Sequence, residues 1–165
     1  MFQPIQRIPL EERIIHYYNV TDSSYQNWGG SINEAYQMHY GYQDDPRQSH
    51  IETLLRMNGI LADYARIQRG EHVLDMGCGV GGSAIWLSKC VEAQVHGISI
   101  NQLHVDKARD FAHRAQVLAQ FSKQNFVQTN FPNAHFDVVW SLESSYYAEK
   151  KEDMLREAWR LLRKN

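Results

Sequence analysis

The stretch Val73-Leu74-Asp75-Met76-Gly77-Cys78-Gly79-Val80-Gly81-Gly82 puts a carboxylate near the end of an apolar run and follows it with four glycines in six positions. Val73, Leu74 and Met76 come after the break at Arg69-Gly70 and read as a strand. Ala84, Ile85, Leu87 and Ser88 read as the start of a helix. Glycines at 77, 79, 81 and 82 strip the turn between them of side chains, so a ligand can lie against bare N–H groups at a helix N-terminus. The segment reads as a nucleotide pocket.

Two cofactor classes use such a turn. Gly77, Gly79 and Gly82 fit G-x-G-x-x-G, the pattern of dinucleotide sites. Against that reading stands Asp75, because a carboxylate at the inner end of a strand is costly unless a cation or several donors meet it, and dinucleotide phosphates would be repelled. The next strand, Ala93-Gln94-Val95-His96-Gly97-Ile98-Ser99-Ile100, also lacks the acidic residue that would hold a dinucleotide ribose. A cationic cofactor suits Asp75 better, and S-adenosylmethionine carries both an ammonium and a sulfonium. Asp75 as a simple turn cap remains the plainer alternative.

Two further segments extend the pattern: Gly97-Ile98-Ser99-Ile100-Asn101-Gln102-Leu103-His104-Val105-Asp106-Lys107-Ala108-Arg109 and Phe136-Asp137-Val138-Val139-Trp140-Ser141-Leu142-Glu143-Ser144. With the glycine turn they resemble, in order, the class I S-adenosylmethionine-dependent methyltransferases, in the subgroup of tocopherol, sterol, sugar O-, cyclopropane-fatty-acid and prenyl-diphosphate C-methyltransferases. The resemblance implies a Rossmann-like α/β core, a mostly parallel sheet with helices on both faces. It implies cofactor contacts from Asp75, Gly77, Cys78, Gly79, Gly81, Gly82, Ser99, Ile100, His104, Asn130, Phe131 and Ser141. His104 stands where the family usually has a ribose-contacting Gln, and can donate one comparable hydrogen bond. The segment Thr129 to Asp137 is shorter than its family counterpart and lacks the acidic residue that faces adenine, so either amides such as Asn130 take that role or residues are absent from the segment. The family's seven strands also imply a core that is C-terminally incomplete at Asn165, truncated there or completed by a partner, because an open apolar sheet edge is avoided.

Composition fits an enzyme domain. The 165 residues are 43% hydrophobic with a formal charge of −2, which argues against a disordered tail and against a nucleic-acid surface. Only Cys78 and Cys90 are present, so a disulfide framework is not expected and a reducing cytoplasm is the default. No stretch suggests a signal peptide or a stable membrane anchor, and no cluster suggests a metal. A homo-oligomer is allowed.

The order of elements separates near residue 70. Residues 1–69 read as a helical cap: Leu10, Ile14, Ile15 and Tyr18 share one helical face, and Ile51, Leu54, Leu55, Leu61, Ala62 and Ala65 share another. Between them the aromatic stretch Tyr25, Trp28, Gly29, Gly30, Tyr36, His39, Tyr40, Gly41, Tyr42 has neither period and reads as a lid hinged at the glycine pair, with Tyr18, Tyr25, Trp28 and Tyr146 facing substrate. Residues 70–165 alternate strand and helix, with helices over Leu103–Leu118 and Asp153–Arg163 and strands over Asn125–Thr129 and Phe136–Ser141.

Glu143 follows the apolar run Val138-Val139-Trp140 and is the main catalytic candidate, at the strand end where open α/β sheets bind ligands; a helix-start carboxylate is the alternative. Related O-methyltransferases continue from Glu-Ser to one or two His that act as base. Here Glu143-Ser144-Ser145-Tyr146-Tyr147 has tyrosines, and resembles the Glu-Ser-x-x-Tyr of prenyl-diphosphate C-methyltransferases. Tyrosine is a poor base near neutral pH, whereas carboxylate and aromatic faces suit a carbocation, so C-methylation of a small lipophilic acceptor by Glu143 and Tyr147 is favoured. Glu143 with His39 serves the alternative of O- or N-methylation. A nicotinamide oxidoreductase, a catalytically silent S-adenosylmethionine-binding module and a helical scaffold fragment remain as other classes.

Overall fold

In the computed structural model, residues 8–28 and 35–164 are described. The hinge expected at Gly29-Gly30 lies outside them.

Residues 70–164 build a four-stranded parallel sheet. β1 (His72–Met76) pairs on one side with β2 (Gln94–Ser99) and on the other with β4 (Val138–Trp140), and β3 (Gln120–Lys123) lies outside β2. The order β3-β2-β1-β4 reverses direction at β1, and in open sheets ligands bind at the carboxyl ends of the strands beside such a reversal. Alternation along β1 explains the layers. Val73 packs with Val95, Phe121, Val105, Ala108 and Leu87 beneath α3 (Gly82–Trp86) and α4 (Gln102–Arg114), while Leu74 and Met76 pack on the opposite face with Ile98, Phe136, Met154 and Leu161 of α5 (Lys151–Leu161). Val73, Leu74 and Met76 have no exposed surface. α3 continues into a turn of π-helix over Leu87–Val91.

The first α-helix, α1, spans Leu10–Trp28 and the second, α2, His50–Ala65. In α2, Ser49 and Glu52 form a reciprocal capping box, each side chain meeting the other's backbone N–H. Tyr36, Ala62 and Ile67 join the same apolar cluster as Val73, so core packing runs across residue 70. Among the described residues no helix is long and apolar enough to cross a membrane.

Three expectations change. Tyr25 and Trp28 belong to α1, not to the irregular stretch, because half-buried Tyr25 continues the inward face set by Ile14 and Tyr18; the weak helix formers Val20, Thr21, Ser23 and Ser24 conceal that period in sequence. The third strand lies at Gln120–Lys123 in place of Asn125–Thr129. Phe121 is its only large apolar residue, and strand pairing to β2 plus the Arg109 guanidinium on the Phe121 carbonyl (2.8 Å) hold it. Asn125 starts a turn, its side-chain oxygen accepting from Val127 N–H at 2.9 Å. The fourth helix ends at Arg114, short of Leu118.

Candidate active site at the carboxyl end of the sheet

A cavity of about 580 Å³ opens where β1, β2 and β4 end, roofed by α1. The floor is the glycine turn. Gly77, Gly79 and Gly81 all have positive φ, and a side chain at Gly79 would put its Cβ 2.7 Å from the Met38 sulfur. At Gly82 a Cβ would collide with the carbonyl of Tyr36, so the backbone of residues 35–39 lies directly over the turn.

Asp75 is 3% exposed and lines the cavity. Its Oδ2 has no hydrogen-bond partner, and burial pushes its pKa up to about 7. A buried carboxylate left without a donor is the arrangement a cationic ligand would complete. Beside it, Ser99, Ile100 and Asn101 line the wall at the end of β2; Ser99 Oγ accepts from Asn101 N–H, and Asn101 caps α4 through Leu103 N–H. His104, in the first turn of α4, is buried with its ring 5.0 Å edge-on to Tyr18, and burial pushes its pKa down to about 4, so it is neutral at pH 7.

The opposite wall gathers residues far apart in sequence. Glu143 sits just past β4 in the left-handed region (φ 54°), and its Oε1 accepts from Tyr40 N–H at 2.9 Å. Tyr147, in a 3-10 turn (Ser145–Tyr147), donates its hydroxyl to Tyr18 at 2.9 Å. Burial, helped by this bond, drives the Tyr18 hydroxyl far above its ordinary pKa; burial also brings Tyr146 to about 12. Helix α1 is fastened across the cavity by Glu11 to Asn125 (2.5 Å), Asn19 to Asn101 (2.9 Å) and an ion pair of Asp22 with Lys107.

His39 is 4% exposed. Its Nδ1 lies 2.9 Å from the Tyr40 carbonyl and its Nε2 2.8 Å from Gln37 Oε1. That oxygen is identified by its other neighbours, since Asn58 Nδ2 donates to it, Ser83 donates to Asn58 Oδ1, and Gln37 Nε2 donates to the Ala35 carbonyl. Both ring nitrogens therefore face oxygens of the protein, and neither points at a ligand in the cavity. Burial holds the pKa of His39 below its usual value.

Of the residues singled out in the sequence, the cavity is lined by Asp75, Gly77, Cys78, Gly79, Gly82, Ser99, Ile100, His104, His39, Glu143, Tyr147 and Tyr18. It does not bring in Asn130 or Phe131. Asn130 is exposed, its N–H donating to Gln124 Oε1, and Phe131 packs against His96 and Phe136 on the α5 face. The physical reason is Glu157: it accepts from both N–H and hydroxyl of Thr129 and pairs with Arg160, and these contacts take its pKa to about 2 while turning residues 129–133 away from the cavity. Asn125, Phe126 and Val127 line the wall in their place. Gly81 packs behind the turn against Ala108 and Phe121. Ser141 is exposed and reaches the site only through Ser144, which bonds the Met76 carbonyl. Trp28 meets Tyr40 and His50 edge-on, while Tyr25 packs tilted against Tyr18 and Tyr146 tilted against Tyr147; none of Trp28, Tyr25 and Tyr146 is among the lining residues. Met38, Ser83 and Asn101 were missed; only Asn101, a helix cap directly after a strand, carried a readable signal.

Known proteins share this fold. The chain is 34% identical over 140 residues, 84% of its length, to the 27-O-demethylrifamycin SV methyltransferase of Amycolatopsis mediterranei, and 32% identical over 151 residues, 90% of its length, to a sterol 24-C-methyltransferase of Neurospora crassa. It spans 49% and 38% of those two relatives. Among solved structures, the [4+2]-cyclase SpnF superposes with a TM-score of 0.84 at 23% identity over 94% of this chain and 57% of that one. Geranyl diphosphate C-methyltransferase of Streptomyces coelicolor superposes with a TM-score of 0.78 at 23% identity over 97% of this chain and 64% of that one. A methyltransferase-domain family matches residues 73–165, from the first strand of the glycine-turn unit onward, and this chain belongs to that family.

Proposed function

We propose that the chain binds S-adenosylmethionine and methylates a small lipophilic acceptor, with methylation at carbon favoured. The observation that carries the cofactor assignment is the partnerless, buried Oδ2 of Asp75 beside the glycine turn. When bound, the cofactor supplies an electrophilic methyl group. Asp75 would meet its positive charge, the backbone of residues 77–79 would lie along it, and Ser99, Ile100, Asn101 and His104 would hold its ribose.

What favours carbon is the lack of an imidazole or phenol suited to take a proton from a neutral acceptor. An oxygen or nitrogen acceptor must lose a proton, yet His39 has both nitrogens engaged, His104 is pushed well below neutrality, and Tyr18 and Tyr146 are pushed upward. Glu143, lining the same cavity as Tyr18 and Tyr147, suits positive charge developing on an alkene carbon and can then accept the proton lost from the adjacent carbon. Residues 1–69 act as the cap that excludes water. Both cysteines are free, in keeping with a cytoplasmic setting.

Calorimetry with S-adenosylhomocysteine and with NADH tests the cofactor; preference for NADH would replace this reading. Transfer of an isotopic methyl to paired alkene and hydroxyl acceptors tests the chemistry. A second reading, a non-methylating catalyst on the same scaffold, draws on the likeness to the cyclase SpnF. Cofactor binding with no label transferred to any acceptor would favour it.

A further inference from the structure

Resting on that reading, the charge of the cavity lining points to the class of acceptor: we propose that the site selects acceptors free of phosphate, neutral or cationic, and turns away diphosphates. Six carboxylates line the cavity, Glu11 and Glu12 on α1, Asp75 on β1, Glu143 after β4, and Glu149 and Asp153 at its mouth. Lys150 is the one Lys or Arg among the lining residues described. Of the six, Asp153 is neutralised by an ion pair, with Arg156 at 2.8 Å. Glu11 and Glu143 are engaged by neutral donors, the Asn125 amide and the Tyr40 N–H, and not by a cation.

Asp75 gives the sign of this field independently of the count. It is buried, faces the cavity and lacks a donor, so the floor already calls for positive charge. A bound S-adenosylmethionine, with one net positive charge, offsets one carboxylate and leaves the wall acidic. A diphosphate entering there loses hydration and meets carboxylates across a partly enclosed space, where charges are poorly screened. Diphosphates are held elsewhere by arginine forks, by helix N-termini with basic residues or by Mg2+ on clustered carboxylates; here the lining offers a single lysine, and among the described residues no group of three or more His, Cys, Asp or Glu is placed to hold a metal ion. The Tyr18 and Tyr147 rings add faces that attract cations and accept hydrocarbon equally well. Selection by charge therefore sits in residues of α1 and the 143–153 segment, not in the cofactor floor.

The test compares three ligands of one hydrocarbon length, geraniol, geranylamine and geranyl diphosphate with Mg2+, titrated calorimetrically into the chain loaded with S-adenosylhomocysteine. The alcohol and the amine should bind at least tenfold more tightly than the diphosphate at low salt, with the gap narrowing as salt rises. The variant Glu12→Gln/Glu149→Gln should narrow it several-fold, and Glu149→Gln alone, on an exposed side chain, guards against a folding defect in the pair. Equal or tighter binding of the diphosphate, with or without Mg2+, would overturn the proposal while leaving the cofactor assignment intact. Failure of S-adenosylhomocysteine to bind at all would instead remove the reading on which it rests.

Discussion

The floor and the wall of the cavity are built on different principles. The floor is one continuous peptide, residues 75–83, whose shape is set by backbone: positive φ at Gly77, Gly79 and Gly81, and no room for a Cβ at Gly82. The wall is assembled from segments a hundred or more residues apart, the Tyr40 N–H with Glu143 and the Tyr147 hydroxyl with Tyr18. Its contacts are polar and fasten a helix; those of the floor are steric and fasten a turn. A floor made this way tolerates little change, whereas a wall made this way can be opened and retuned without unfolding the core.

The largest expected effect is at the floor. Asp75→Asn should weaken S-adenosylmethionine binding by about 3–5 kcal/mol, as for loss of one partner of a buried charged pair, with the fold retained. Calorimetry checks this, and unchanged affinity would take Asp75 out of the site. The same variant reports a pH effect with a definite sign. The folded pKa of Asp75, about 7, lies above that of the unfolded chain, so the stability associated with its protonated form is full below about pH 4 and is lost as pH rises through about 7. Ligand-free Asp75→Asn should therefore gain stability over the parent between pH 5 and pH 8 in thermal melts. A constant difference across that range would argue against the buried, donorless carboxylate.

At the wall, Glu143→Gln should raise the barrier to methyl transfer by about 3 kcal/mol and change cofactor affinity little, because its charge is felt most as positive charge develops on the acceptor. An equal loss in affinity would merge wall and floor into one unit. Next comes a contrast within the floor. Gly82→Ala forces the Tyr36 backbone aside and should cost about 1–3 kcal/mol of stability, whereas Gly79→Ala meets the flexible Met38 side chain and pays mainly for its positive φ, about 1–2 kcal/mol. Reversed order in denaturant melts would mean that residues 35–39 do not rest on the turn. The smallest effect should be Tyr147→Phe, about 1 kcal/mol for the bond to Tyr18, visible chiefly as faster hydrogen exchange in α1.

This contrast also explains what could be read from sequence. The floor was legible because glycine requirements and a charged residue in an apolar strand are local facts: Asp75, Gly77, Gly79 and Gly82 sit where their order placed them. Ser99 and His104 were legible for the same reason, as neighbours of a strand end. Asn130 and Phe131 were not, because Glu157, on a helix nearly thirty residues later, draws Thr129 away from the cavity. β3 was misplaced because a strand with one large apolar residue has no readable period, and its position depends on β2 and Arg109. His39 reads in sequence as a candidate base; only the geometry of Gln37, Asn58 and Ser83 reveals that its nitrogens are engaged.

The left-handed backbone at Glu143 has a consequence for how the protein can drift. A non-glycine residue held at φ 54° costs roughly 1–2 kcal/mol. Glycine there would recover that cost and forfeit a hydrogen bond worth about 1 kcal/mol. Folding alone thus has little reason to keep a glutamate at 143, and a library selected only for thermal stability should fill the position with Gly, Asn or Asp. A library selected for turnover should return to Glu, so the two outcomes separate what the scaffold wants from what the chemistry demands.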